Sequence, residues 1–281
     1  MQVGALVSNA EHLGWRWTQW ITLIISSFFG ILLLVVVPET YAPVLLVRRA
    51  KRLRHSTGNW ALHAKHEERK INLREIADKY LSRPARMFVQ EPILALVTIY
   101  MAFVYGLIYL FFFSYPITFQ QERGLKPAVA SCAFLGIFVG VLCACALVSG
   151  TIDTKLAPNY AEGRYQETRL ILMSIGGLAL PIGLFWSAWT SFPSLSPWPQ
   201  AIAGIPIGFG IMTITLQGFN YLLDCYSVNA NSALAANTLV RSWFGAGFPL
   251  FAKYMYDALG VQWATSVLGF IAIALVPVPM V

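Results

Sequence analysis

Long uncharged segments separated by short polar ones dominate the hydrophobic pattern of this chain. Residues 170–223 contain no Asp, Glu, Lys or Arg, and the same holds for residues 93–119 and 127–152. A helix needs about 20 apolar residues to cross the hydrocarbon core of a bilayer, and helices of soluble proteins average only about 12 residues. The pattern therefore predicts an all-α membrane protein that crosses the bilayer several times.

The apolar segments predict seven transmembrane helices, which we number as spans one to seven. Clusters of turn residues separate them, as in the segment TSFPSLSPWP between spans four and five. The predicted bounds are Thr18–Val37, Ile93–Ser114, Ala128–Gly150, Thr168–Trp189, Gln200–Leu223, Asn231–Phe251 and Val261–Pro279.

Composition divides the chain into three regions: residues 1–37 with span one, a basic loop over residues 38–90, and residues 91–281 with the other six spans. Of the 20 Lys and Arg residues, 12 lie between Arg48 and Arg86. Because basic loops stay on the cytoplasmic side, this loop is predicted to be cytoplasmic. The assignment puts 15 Lys and Arg on that side against four outside, and it places Met1 outside.

Part of the basic loop has the period of an amphipathic helix. The segment INLREIADKYLSRP at residues 71–84 places Leu73, Ile76 and Tyr80 on one helical face. Two arrangements fit this pattern, a helix lying along the inner leaflet and a helix packed on the cytoplasmic ends of the spans.

Charge and composition exclude several other classes of protein. The net charge of +7 comes from the one basic loop. The sequence lacks the interleaved basic and aromatic residues that would indicate nucleic-acid binding. The four cysteines form neither a disulfide framework nor a zinc-binding pattern. No phosphate-binding loop or hydrolase motif is present. The sequence therefore predicts no enzyme, no cofactor and no metal site.

Motifs along nearly the whole chain resemble the fungal drug and polyamine:proton antiporters of the major facilitator superfamily. In chain order they are LGWRWTQW, PETYAPVLLVRRAKRLR, EPILALVTIYMAFVYGLIYLFFFSYPITF, LPIGLFWSAWTS, GIPIGFG, NYLLDCY, SALAANTLVRSWFGAGFPLF and LGVQWATSVLGFIAIALVPVPM.

The resemblance implies a fold and a function. Family members have twelve spans in two six-helix bundles, and this chain resembles the last seven: the last helix of the N-terminal half and the C-terminal six-helix bundle. It implies a multi-pass transporter of the cell membrane, or of the vacuolar membrane, that exports drugs, polyamines or fungal secondary metabolites by proton-coupled alternating access. The expected partners are a small-molecule substrate, protons and the lipid bilayer.

Because the resemblance covers only seven spans, it also predicts a truncated transporter and leaves a second function open. The chain could be a non-transporting fragment, or a half-transporter that needs a partner chain to supply the N-terminal half.

The resemblance further implies that spans two, three, five and six line the transport pathway. In span two, Tyr105 and Tyr109 are four residues apart and so share one helical face. Aromatic faces can bind an organic cation or a flat drug. The alternative interpretation is an interfacial tyrosine belt or ordinary helix packing.

Span five carries a polar stripe, which we define as Gln217, Asn220 and Asp224. Polar groups that face lipid are costly, so the stripe is expected to face protein or a cavity. Asp224 has two possible roles: part of a proton or cation route, or a gate residue at the helix end that pairs with a cation or caps span six.

Span six contains Asn237 and Arg241, again four residues apart. An arginine inside a span costs about 2.5 kcal/mol or more unless it is paired or hydrated. The sequence predicts that Arg241 pairs with Asp224, or with lipid phosphate if the helix begins later. Asn237 is predicted to face the pathway. The glycine pairs Gly136–Gly140 and Gly204–Gly208 predict close helix packing.

Overall fold

A computed structural model describes residues 14–65, 67, 82–151 and 165–280. Every regular element among these residues is a helix, which confirms the predicted all-α class. They fall into two compact units, the described part of Val3–Asp78 and the described part of Lys79–Val281. The helix predicted over residues 71–84 lies almost entirely outside the described residues.

The described part of the first unit contains two helices, α1 (Gly14–Val36) and α2 (Ala42–Thr57). The apolar segment of α1 has the length of a membrane span, and none of its side chains over residues 19–36 is buried. Helix α2 carries much of the basic charge and buries no residue. It ends at Gly58, whose left-handed φ of 67° lets its N–H donate to the Arg54 carbonyl.

The described part of the second unit contains seven α-helices. Prolines occupy the first turn of four of them, α3, α4, α5 and α8, where the missing N–H costs no helical hydrogen bond. A π-helical segment, Ile117–Glu122, continues α4. The helices are α3 (Arg83–Gln90), α4 (Pro92–Pro116), α5 (Pro127–Ser131), α6 (Phe134–Thr151), α7 (Tyr165–Trp189), α8 (Pro197–Cys225) and α9 (Ala230–Leu275).

Six helices of the described residues are long and apolar enough to cross a membrane, so the predicted count of seven is not confirmed. The difference arises at spans six and seven, which lie in one run over residues 230–280. Within α9 only Gly260 departs from helical geometry, with φ 71° and ψ 164°. The helix therefore continues beyond Phe251, the predicted end of span six, to this break.

The first segment of α9, residues 230–259, runs parallel to α4. Asn237 lies beside Met101, and eight residues later Gly245 lies against the Tyr105 ring. Contacts thus advance along both helices together, which places the start of α9 beside the start of α4.

Helix α7 is also parallel to α4. A Cβ on Gly177 would lie 2.8 Å from the Tyr100 hydroxyl oxygen, and the Arg123 side chain donates to the Thr190 carbonyl at 2.8 Å. The first contact lies inside both helices, and the second lies beyond their carboxyl ends.

The second segment of α9, residues 261–275, runs antiparallel to α7. The Trp189 ring lies 6.1 Å from Trp263, whereas Phe185, one turn earlier, lies 5.1 Å from Phe270. Since α7 is parallel to both α4 and the first segment of α9, the chain reverses direction at Gly260. The last apolar run therefore supplies two antiparallel helical segments.

Helices α6 and α8 touch through their backbones. A Cβ on Gly140 would lie 2.1 Å from the Ile205 carbonyl oxygen, and one on Gly208 would lie 2.2 Å from the Ile137 carbonyl oxygen. No real Cβ approaches that closely, so only glycine fits either position. This contact confirms the close packing that the glycine spacing predicts.

Candidate substrate site

Tyr105 and Tyr109 form one aromatic surface on α4, as their spacing predicts. Their hydroxyl oxygens are 3.0 Å apart and their ring centroids 5.0 Å apart. The Phe112 ring extends the surface, 6.0 Å from Tyr109. Tyr105 is half-buried and Tyr109 is 36% exposed, so the surface remains open on one side.

Arg241 belongs to this aromatic surface. Its guanidinium carbon lies 4.6 Å from the centroid of the Tyr105 ring and 4.9 Å from that of Phe219 on α8. Cation–π contacts of this kind contribute about 0.5–2 kcal/mol each. No carboxylate of the described residues lies within ion-pair distance of this guanidinium. We call Tyr105, Tyr109, Phe219 and Arg241 the arginine–aromatic cluster.

Gly245 makes room for the cluster. It lies four residues after Arg241 on α9, and a Cβ there would lie 2.9 Å from Tyr105 Cε1 and 3.4 Å from Tyr109 Cδ2. A side chain at this position would therefore push the Tyr105 ring away from the guanidinium.

The predicted pair between Arg241 and Asp224 is wrong. Asp224 Oδ2 lies 2.7 Å from Arg169 Nε, and the two side chains are only 18% and 8% exposed. The reason is helix register: Asp224 is in the last turn of α8, whereas Arg241 is eleven residues into α9, about 16 Å along the axis. Arg169 lies near the start of α7, which is antiparallel to α8, and it therefore faces Asp224.

Two further predictions concern these residues. The predicted contact of Arg241 with lipid phosphate required a later helix start, whereas α9 begins at Ala230, eleven residues before Arg241. The residue that precedes α9 is Asn229, and no side chain caps the helix there. Asp224 therefore pairs with a cation instead of capping span six.

Further contacts join the helix ends near Asp224, which we call the Asp224 end. The Arg83 side chain donates to the Asn229 side-chain carbonyl, joining α3 to the start of α9. Burial raises the pKa of the Tyr226 hydroxyl, and the Glu91 carboxylate raises it further. Tyr226 thus stays neutral at physiological pH and adds no charge beside the ion pair.

The remaining predicted pathway residues lie deeper in the bundle. Asn237 is fully buried, and its amide nitrogen lies 3.4 Å from both Thr98 Oγ1 and Met101 Sδ. Gln217 is 2% exposed, and Asn220 is half-buried. The polar stripe thus runs from the bundle interior to Asp224, and the structure does not bring Gln217 or Asn237 into the open part of the cluster.

Sequence reasoning missed two residues of these sites, Phe219 and Arg169. Phe219 lies between Gly218 and Asn220 on α8, and nothing in the pattern indicates that it contacts a cation. Arg169 gives a usable signal, because a cation at the start of one predicted span can face a carboxylate at the end of the next span in an antiparallel hairpin.

The chemistry of the cluster suits binding. It offers a guanidinium, aromatic faces and phenol hydroxyls, without a nucleophile beside a base. Among the described ranges, no group of three or more His, Cys, Asp or Glu side chains is placed to hold a metal ion.

Comparison with known proteins identifies the family. The sequence pattern of the Major Facilitator Superfamily matches residues 3–248. The chain is 55% identical to a citrinin biosynthesis cluster transporter of Monascus ruber over 99% of this chain and 56% of the relative. It is 48% identical to a cercosporin transporter of Cercospora nicotianae, over 95% of this chain and 52% of the relative.

A third relative, a transporter of this superfamily from Aspergillus terreus, is 42% identical over 95% of this chain and 76% of its own length. The chain otherwise spans about half the length of the curated relatives it matches. No solved structure matches it. With a superfamily match over most of its residues and apolar helices of membrane-spanning length, the chain belongs to the major facilitator superfamily and is a multi-pass membrane protein.

Proposed function

We propose that this chain carries a fungal secondary metabolite out of the cell by proton-coupled alternating access. The observation that carries the proposal is its identity of 55% and 48% to transporters named for citrinin biosynthesis and cercosporin. The arginine–aromatic cluster supports it, because an open aromatic surface with one fixed charge suits a flat organic molecule. The plasma membrane is the proposed location, with the vacuolar membrane as the alternative.

In this mechanism the cluster belongs to the pathway and the Asp224 end acts as a gate. The ion pair between Arg169 and Asp224 holds α7 to α8 at that end. Protonation of Asp224 removes its charge and weakens the pair, which allows the helix ends to separate. A carboxylate in a poorly hydrated site changes its protonation state readily when its partner moves.

A second candidate function follows from the share of each relative that the chain matches. Because the chain spans 56% and 54% of the two citrinin-cluster transporters, transport could require a complementary set of spans. In that case the cluster would form one wall of a pathway and a second bundle the other.

An export assay in yeast lacking its own multidrug pumps tests both functions. One strain receives the chain alone, and a second also receives, as a separate polypeptide, the part of the Monascus ruber relative that this chain does not match. Cells are loaded with citrinin or cercosporin, and the amount retained is followed with time. We expect lower retention, and loss of the effect when a protonophore collapses the pH gradient.

The two strains separate the candidates. Export by the chain alone supports autonomous transport, and export only in the second strain supports the half-transporter. Unchanged retention in both strains, at normal abundance in the membrane, would contradict both proposals.

The proton route has its own test. Asp224→Asn keeps the shape of the side chain but cannot exchange a proton, so we expect export to lose its dependence on external pH. The matched control is Asp257→Asn, because Asp257 is exposed on α9. An unaltered pH dependence in Asp224→Asn removes Asp224 from the proton route.

A further inference from the structure

We propose that the arginine–aromatic cluster is an anion-selective binding site, and that its ligand is a flat aromatic compound that carries an acidic group such as a carboxylate. The inference rests on the proposed function for its biological role, because it names the class of substrate. The tyrosine pair alone would instead suggest an organic cation as the ligand.

A cation already occupies part of the aromatic surface. The Arg241 guanidinium lies over the faces of Tyr105 and Phe219 at 4.6 and 4.9 Å. Those two faces are therefore not free for a cationic ligand. A polyamine or other ammonium compound would in addition meet a like charge within a poorly hydrated site, where repulsion is strong.

Arg241 also has no counter-charge among the residues that the structure describes. Its Nε is buried without a hydrogen-bond partner, and Asp224, the carboxylate predicted to pair with it, pairs with Arg169 instead. An unpaired arginine well inside a span is costly. A ligand anion would relieve that cost, so electrostatics favour an acidic ligand over a neutral one.

The guanidinium carbon of Arg241 lies over both rings, and the side chain as a whole is half-buried. A guanidinium can bind a carboxylate through two parallel hydrogen bonds. The two ring contacts hold the group in place, and Gly245 leaves room for the Tyr105 ring beside it.

The neighbouring rings favour an aromatic ligand. Tyr109 and Phe112 lie further along α4, with ring centroids 6.0 Å apart and ring planes at 82°. Tyr109 is 36% exposed, and aromatic rings stack on such faces with a gain of about 1 kcal/mol. A flat ring with an acidic substituent can therefore contact both the rings and the guanidinium.

The test is a binding series on the purified full chain in nanodiscs made only of phosphatidylcholine, a lipid without net charge. Three ligands share one ring system and differ in charge: 2-naphthoate, 2-naphthamide and 2-naphthylmethylammonium. We expect titration calorimetry to show binding in the order anion, neutral amide, cation, with the anion at least about tenfold tighter than the amide.

Variants then assign the selectivity to Arg241. Arg241→Gln removes the charge but keeps a hydrogen-bonding side chain, so we expect the anion to lose about tenfold in affinity while the amide changes less than about threefold. Arg241→Lys keeps the charge but loses the planar fork, so it should retain part of the preference. Phe219→Leu provides a second variant that leaves the charge in place and loosens its support.

A merely structural arginine gives a different result, in which Arg241→Gln weakens all three ligands equally or none. That result would overturn the proposal. So would equal binding of the anion and the cation, and so would no binding of 2-naphthoate. The outcome is separable from the export assay. Charge-selective binding without export would support the proposed site and contradict the proposed transport function. Export without anion selectivity would contradict only the proposed substrate class.

Discussion

At the scale of single residues, loss of the ion pair between Arg169 and Asp224 should reduce the stability of the fold the most. Both side chains are largely buried, and removal of either partner takes this charge–charge contact out of a poorly hydrated site. Fully buried pairs cost about 3–5 kcal/mol when broken this way. Because Asp224 keeps 18% exposure, we expect about 2 kcal/mol of destabilisation for Arg169→Gln or Asp224→Asn.

A double-mutant cycle checks this value. Thermal unfolding in detergent is measured for the two single variants and for the double variant, which has neither charge. The double variant should be less destabilised than the sum of the singles, by a coupling of about 1–3 kcal/mol. Strict additivity would show that the two side chains do not interact energetically.

Gly245 allows a second residue-scale prediction. Gly245→Val places carbon atoms where Tyr105 now lies, so the ring must leave the guanidinium and 2-naphthoate affinity should fall about tenfold. Overpacking of this kind costs about 1–3 kcal/mol. The control is Gly247→Val on the same helix, where a Cβ meets no atom within 4 Å. Equal affinities for the two variants would contradict the role given to Tyr105.

At the scale of helices, the contact between α6 and α8 depends on glycine. In Gly140→Ala the new Cβ would lie 2.1 Å from a backbone oxygen of Ile205, and backbone cannot move aside as a side chain can. We expect the helices to separate locally and stability to fall by about 3 kcal/mol, the upper end for overpacking. The midpoint of thermal aggregation, followed by size-exclusion chromatography, provides the measurement.

Gly150→Ala is the matched control for this substitution. It lies on the same helix, yet no atom lies within 4 Å of its Cβ position. It should be neutral or slightly stabilising, since alanine favours helix over glycine by up to about 1 kcal/mol. If both variants unfold at the same temperature, the close contact of α6 with α8 is not a source of stability.

Helix positions were largely predictable, because a bilayer demands about 20 apolar residues and such segments are plain in a sequence. The ends of the helices were less predictable. Lys253 and Asp257 indicate a loop after Phe251, yet both lie exposed on α9, which continues to Gly260. Hydropathy detects the apolar part of a helix and does not register a polar extension beyond it.

Contacts between helices were predictable only in part. The glycine spacing of α6 and α8 gave their packing correctly, because glycines four residues apart create a groove on a single helix. The partner of Asp224 was predicted wrongly, because hairpin neighbours in sequence need not meet at the same depth. The contact of Phe219 with Arg241 depends on the rotation and depth of α8 relative to α9, which the sequence of a single helix does not reveal.

At the scale of the whole molecule, the second unit has two ends with different character. The turn between α8 and α9 lies at the Asp224 end, and the segment between α7 and α8 lies at the opposite end, beside Arg123. Since α8 connects the two, one must face the cytoplasm and the other the outside if the bundle spans a membrane. The concentration of basic residues at 48–86 predicts that the Asp224 end is cytoplasmic.

Labelling with a membrane-impermeant maleimide tests this orientation. Cys132, Cys143, Cys145 and Cys225 are first replaced by serine or alanine, and single cysteines are introduced as Ser194→Cys and Ser227→Cys, both at exposed positions. In intact yeast with the chain at the plasma membrane, we expect only Ser194→Cys to react. Ser227→Cys should react once the membrane is permeabilised. The reverse pattern would place the Asp224 end outside, and protons from the medium, instead of the cytoplasm, would then reach the ion pair first.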